Sequence, residues 1–191
     1  MEEKKPLVEE NEKEEAPAAE QKEYVPKGKF DSLLYRIYVE KGVSLMLKAA
    51  SVMIVAATVM SFLVYLLELV LKNPLMLVEA LIITGVPFIA LSIMRVIINA
   101  PRPYELLEFY EKPPKRKCGR SFPSRHVFSV FIVATVIMPS NIALGILLLI
   151  MGVCLAAFRV LLGIHFIRDV VAGALTGIIS GVVGLLAILF I

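Results

Sequence analysis

The sequence predicts an all-α fold: a polytopic membrane helix bundle of about five transmembrane helices, with an amino-terminal interfacial helix. Three observations predict it. The 191 residues are 58% hydrophobic and only 19% charged, with a mean hydropathy of +0.80. Soluble domains carry charge on roughly a quarter of their residues. Long stretches also lack any charge: residues 49–67, 127–158 and 170–191. The last is 22 residues, about 33 Å as a helix against a hydrocarbon core of about 30 Å. Finally, the polar residues are gathered into a few short segments between these runs.

The elements follow in order. Residues 1–29 are rich in Glu, Lys, Pro and Ala. Such a segment buries too little apolar surface to offset its ordering entropy, so it reads as a disordered tail before a membrane domain over 30–191. Its acidic start and lack of an early apolar core do not fit a secretory signal. Phe30, Leu33, Leu34, Ile37 and Tyr38 fall on one helical face, which suits either a helix at the membrane interface ended by Gly42 or the first turns of the next helix. A first span covers about 43–71, and Lys72-Asn73-Pro74 makes a turn. The second span is Leu75 to Ile98, with Glu79, Gly85, Pro87 and Arg95 inside it. Residues 99–123 form a polar loop. The uncharged run 127–158 is too long for one span, and Pro139-Ser140-Asn141 splits it into a third and a fourth. Arg159 to Asp169 is a polar junction, and Val170 to Ile191 is the last span. Gly173, Gly177 and Gly181 recur every four residues there, so that another helix can approach closely.

With five spans, the tail, the 99–123 loop and the 159–169 junction share one membrane face. Charge is equally lopsided. Residues 1–22 hold eight Glu and four Lys, net −4; the whole chain is +3, so residues 23–191 carry +7. A basic membrane domain suits anionic lipid head groups or an anionic substrate. It does not suit nucleic acid, for which no soluble domain offers a groove-sized basic face. Cys118 and Cys154 sit in a polar loop and an apolar run, which argues against a bridge.

Three clusters lie on the polar face: Arg95 to Pro103, Ser121 to His126, and Arg159 to Asp169. Charges beside membrane spans are costly and point to function. Arg95, Arg102, Arg125 and Arg159 can converge there with only Asp169 to balance them. Arginine keeps its proton and offers a rigid fork of donors, so such a group suits phosphate. One arginine alone would be read as snorkelling to lipid phosphate; four beside both histidines are not. Ser124 stands at a cap position before an apolar helix whose first N–H groups bind anions. His165 and Asp169, spaced i, i+4, share one side of a helix, so the carboxylate can fix the imidazole tautomer and leave the other nitrogen as nucleophile or base. His126 supplies a second proton-transfer group. A metal triad of His126, His165 and Asp169 is the rival reading; nearby arginines oppose a divalent cation.

These clusters resemble the signature of the type 2 phosphatidic acid phosphatase family, membrane enzymes that share a core with the vanadium haloperoxidases. The family pattern is Lys-x6-Arg-Pro, Pro-Ser-Gly-His and Ser-Arg-x5-His-x3-Asp. Here it reads Arg95-x6-Arg102-Pro103, Pro123-Ser124-Arg125-His126 and Phe158-Arg159-x5-His165-x3-Asp169. Order and spacing match, and the Pro-Ser-Arg-His variant looks like a small bacterial branch. The resemblance implies a metal-independent phosphatase without cofactor in a bacterial plasma membrane, acting on a lipid phosphate such as a prenyl diphosphate, phosphatidic acid or phosphatidylglycerol phosphate. It implies His165 as a nucleophile forming a phosphohistidine, Asp169 as its orienting group, and His126 as acid to the leaving oxygen. Arg95, Arg102, Ser124 and Arg159 would hold the phosphoryl group, with Arg125 added beside it. No protein partner is implied. A lipid phosphotransferase and a non-catalytic lipid-phosphate-binding protein are the alternatives, the latter because Arg95, Arg125 and Phe158 depart from the pattern. Family habit puts the site on the extracytoplasmic face, whereas the lysines beside it favour the cytoplasmic one.

Overall fold

The computed structural model describes Ser32, residues 41–106 and residues 118–189. Its regular elements are all helices: α1 (Lys41–Lys72), α2 (Pro74–Ile98), α3 (Pro103–Leu106), α4 (Arg125–Ile137), α5 (Ile142–Leu161) and α6 (Ile167–Leu189). The 1–29 tail and nearly all of the expected interfacial helix lie outside the described residues. Gly42, expected to end that helix, instead lies within α1. It does not take the positive φ that a glycine stop needs.

The turns form as the local chemistry dictates. Asn73 caps α2 by accepting a hydrogen bond from the Leu75 amide at 3.1 Å, and Pro74 follows at the first helical position. Asn141 caps α5 in the same way, accepting from the Leu144 amide at 3.0 Å. Buried hydroxyls within spans satisfy themselves: Thr58 donates to the Ile54 carbonyl at 2.9 Å and Thr84 to that of Ala80 at 2.8 Å.

Among the described residues, four helices, α1, α2, α5 and α6, are long and apolar enough to cross a membrane. The expected third span is different. α4 has only 13 residues, about 20 Å of helix. It is apolar on nearly every side, because α1, α2, α5 and α6 surround it. Lipid-facing length is not required of a helix that protein encloses. The outer helices turn large apolar side chains outward, with Leu71 78%, Ile97 77% and Ile150 57% exposed.

Glycine sets how closely α4 is enclosed. A Cβ on Gly173 would stand 2.6 Å from the Ser124 carbonyl oxygen, and one on Gly177 2.7 Å from that of Phe128. Gly181 meets Thr135, so α6 runs parallel to α4 at backbone contact. α5 returns antiparallel: Gly145 lies against Met138, and Gly152 against Phe131. Because α5 has 20 residues and α4 has 13, α5 extends about 10 Å past the start of α4. The 118–124 segment leads into that end of α4.

The polar junction is shorter than 159–169. α5 runs through Arg159 and α6 begins before Asp169. A cation in a last turn and an anion in a first turn both favour the helix dipole, which accounts for the extension.

Candidate active site

Three chain reversals bring the polar clusters to the start of α4. Asn99 ends α2 in the left-handed region (φ 43°), its amide donating to the Arg95 carbonyl at 3.1 Å. Gly119 (φ 69°) packs against the Asn99 side chain, where a Cβ would lie 2.4 Å from Oδ1. The returning segment is tied to the outgoing one at several points. The Gly119 amide donates to Glu105 Oε1 at 2.7 Å, Arg102 Nε donates to the Gly119 carbonyl at 3.1 Å, and the Ser121 amide donates to the Ala100 carbonyl at 2.9 Å. Gly163 (φ 62°) makes the third reversal, after which the Ile164 and His165 amides donate to the Arg159 carbonyl at 3.0 and 3.2 Å.

Arg95, expected on the phosphoryl group, is 5% exposed. Its terminal nitrogens donate to the carbonyls of Arg120, Ser121 and Pro123. Arg120 carries a φ of 54°, an uncommon conformation for a side chain with a Cβ. One buried guanidinium therefore holds a strained loop. The peptide bond between Phe122 and Pro123 is cis.

His165 lies in the junction ahead of α6, so it and Asp169 do not share a helix as the spacing suggested. They still meet: Nδ1 stands 3.6 Å from Asp169 Oδ2, and both side chains are buried. Oδ2 also accepts from the Phe166 amide at 3.0 Å and from the Ser121 hydroxyl, which itself lies 3.3 Å from His165 Nδ1. Burial holds the His165 imidazole below its ordinary value; Asp169 opposes this, and the charges of Arg102 and Arg95 add to it. The ring is therefore neutral near pH 7.

Ser124 begins α4, and its amide donates to the Asp169 carbonyl at 2.9 Å, joining the starts of α4 and α6. Its hydroxyl makes no capping bond, contrary to expectation. Among the described residues, the buried Ser124 Oγ, Arg159 Nε and Asp169 Oδ1 have no hydrogen-bond partner. Arg168 Nε lies 3.6 Å from that Oδ1. Leaving buried polar groups unmade is costly. A hydroxyl and a guanidinium N–H left open beside a free helix N-terminus suit an anion. Arg125 and His126 follow on the exposed side of α4. His126 lies in the fields of Arg159, His165, Arg125 and Arg95, and Arg102 bears on Arg159. The three clusters thus converge. Among the described residues, no three His, Cys, Asp or Glu side chains gather closely enough to hold a metal ion.

Ser121 carried no expected role. Its hydroxyl meets a carboxylate 48 positions away, and no local spacing links the two. Its place at the head of the Ser-Phe-Pro-Ser segment was the only signal.

The chain is similar to one family model and to three known proteins. The PAP2 superfamily model matches residues 74–190. Bacitracin transport permease protein BcrC of Bacillus licheniformis is 32% identical over 117 residues, 61% of this chain and 58% of that protein. The match thus spans little more than half of that relative's length. The crystal structure of Aquifex aeolicus LpxE superposes with a TM-score of 0.62 at 23% identity, over 81% of this chain and 93% of that one. That of the transmembrane PAP2-type phosphatidylglycerolphosphate phosphatase from Bacillus subtilis gives 0.61 at 15% identity, over 80% and 81%. These two likenesses concern the fold.

Proposed function

This chain belongs to the PAP2 superfamily, and from that premise we propose that it is a metal-independent lipid phosphatase working through a phosphohistidine on His165. The observation that carries the reading is the convergence of a buried His165–Asp169 pair with the open Ser124 hydroxyl and Arg159 Nε.

The steps follow from the residues. Asp169 and its neighbours hold His165 Nδ1, so the Nε2 lone pair attacks phosphorus. As the P–N bond forms, the bond from phosphorus to the leaving oxygen breaks, and His126 gives that oxygen its proton. Arg102, Arg159, Ser124 Oγ and the first amides of α4 neutralise the phosphoryl oxygens, with Arg125 at the rim. His126 then takes a proton from water, whose oxygen attacks phosphorus. The P–N bond breaks, phosphate leaves, and His165 is restored. Arg95 acts at one remove, through its charge and its hold on the 120–123 carbonyls.

The substrate is a phosphate monoester or diphosphate of a membrane lipid. A polar cluster at the ends of helices that turn apolar side chains outward suits a phosphate whose lipid chain stays in the bilayer. The name of the Bacillus subtilis neighbour makes phosphatidylglycerol phosphate a natural test substrate, beside phosphatidic acid and a prenyl diphosphate. Phosphate release is measured in detergent for wild type and His165→Ala, with and without excess chelator. Release by wild type alone, unchanged by chelator, is expected. Release by His165→Ala contradicts the nucleophile, and loss on chelation contradicts metal independence.

A further inference from the structure

We propose that Ser121 is a positioning residue of the nucleophile, its hydroxyl bridging the His165 imidazole and the Asp169 carboxylate. The proposal rests on the phosphohistidine reading and deepens it.

His165 Nδ1 is 3.6 Å from Asp169 Oδ2, too long for a good direct hydrogen bond. Ser121 Oγ stands 3.3 Å from the same Nδ1 and donates to the same Oδ2. A hydroxyl can accept one proton and donate its own. Nδ1–H to Oγ and Oγ–H to Oδ2 therefore form a relay that fixes the tautomer leaving Nε2 unprotonated. All three side chains are buried, with Ser121 and Asp169 at 0% exposure and His165 at 3%. Low polarity strengthens such a chain and excludes competing water.

The hydroxyl is also held from its backbone. The Ser121 amide is spent on Ala100, and its carbonyl accepts from Arg95. Arg95 grips the carbonyls on either side as well, those of Arg120 and Pro123. The left-handed Arg120 shows that the loop is held in a conformation it would not choose alone. Fixing a catalytic group's neighbours this firmly is how a site is preorganised. It also gives the buried Arg95 a use that requires no contact with substrate.

The test is a double-substitution cycle on the full-length protein in detergent, using phosphate release from the best lipid of the panel. Ser121→Ala is expected to lower kcat about 10- to 100-fold, as for a small misplacement of a reacting group, with KM within about twofold. Ser121→Cys, which keeps a weak donor at similar volume, is expected to fall between serine and alanine. In an Asp169→Asn background, adding Ser121→Ala is expected to cost less than about twofold more, because the two act as one unit. A merely structural serine gives additive losses instead. Wild-type kcat in both Ser121 variants, or full additivity with Asp169→Asn, overturns the proposal while His165→Ala remains inactive. Activity in His165→Ala overturns the phosphohistidine reading itself and the Ser121 role with it.

Discussion

His165 can attack phosphorus only while its imidazole is neutral, and its surroundings set the pH at which that holds. Burial is the largest influence and keeps the ring below its ordinary value, about 6.5 for a free imidazole. The acid limb of kcat/KM, which reports the free enzyme, is expected below that value. The neighbours shift it in opposite directions. Arg102 disfavours the imidazolium and Asp169 favours it. Arg102→Ala is therefore expected to move the acid limb to higher pH, and Asp169→Asn to lower pH. A pH–rate profile of the three proteins checks both signs; a common limb in all three contradicts this account of the nucleophile's surroundings. The residues were largely legible, because arginine, histidine and serine beside membrane spans have few bland explanations. Their partners were less so. Arg95 was expected on phosphate, and the carbonyls that its terminal nitrogens bind become visible only once the loop has folded back. The i, i+4 spacing brought His165 to Asp169 on a wrong argument, since Gly163 breaks the chain before α6 begins.

At the scale of elements, the α4–α6 seam decides whether the site exists. Ser124 and Asp169 are joined through backbone at its upper end, and glycines at 173 and 177 allow the approach. Gly177→Ala places a methyl group against the Phe128 carbonyl. Overpacking of this kind costs about 1–3 kcal/mol, read as a lower temperature of thermal inactivation in detergent. Gly173→Ala pushes on the Ser124 carbonyl itself, so it is expected to lower kcat at temperatures where the protein remains folded. Wild-type behaviour of both variants contradicts the backbone-contact account. The stripe was visible as a repeat in the sequence, but its partner was not: nothing local says which helix it meets. The short α4 was hidden for a related reason. An uncharged run looks the same whether lipid or protein surrounds it, and only the packing of four neighbours separates the two. The turns at Asn73 and Asn141 were legible because their signals are local.

For the whole molecule, the arrangement is one-sided. The ends of α2 and α5 and the beginnings of α4 and α6 bring Arg95, Arg102, Arg125, Arg159 and both histidines together. The turns at Asn73 and Asn141 carry no comparable set. The cluster lies at the ends of helices long and apolar enough to cross a membrane, so a higher kcat/KM is expected for a lipid phosphate than for a water-soluble aryl phosphate. Equal values for the two contradict the claim that the membrane presents the substrate. The proposed intermediate is covalent, so it can be trapped. Wild type is mixed with excess lipid labelled in its terminal phosphate, quenched within the first turnover under denaturing conditions at alkaline pH, and mapped by mass spectrometry. An acid-labile phosphoramidate on His165 is expected, forming before phosphate is released. Label on another residue, or none while phosphate is still released, contradicts it.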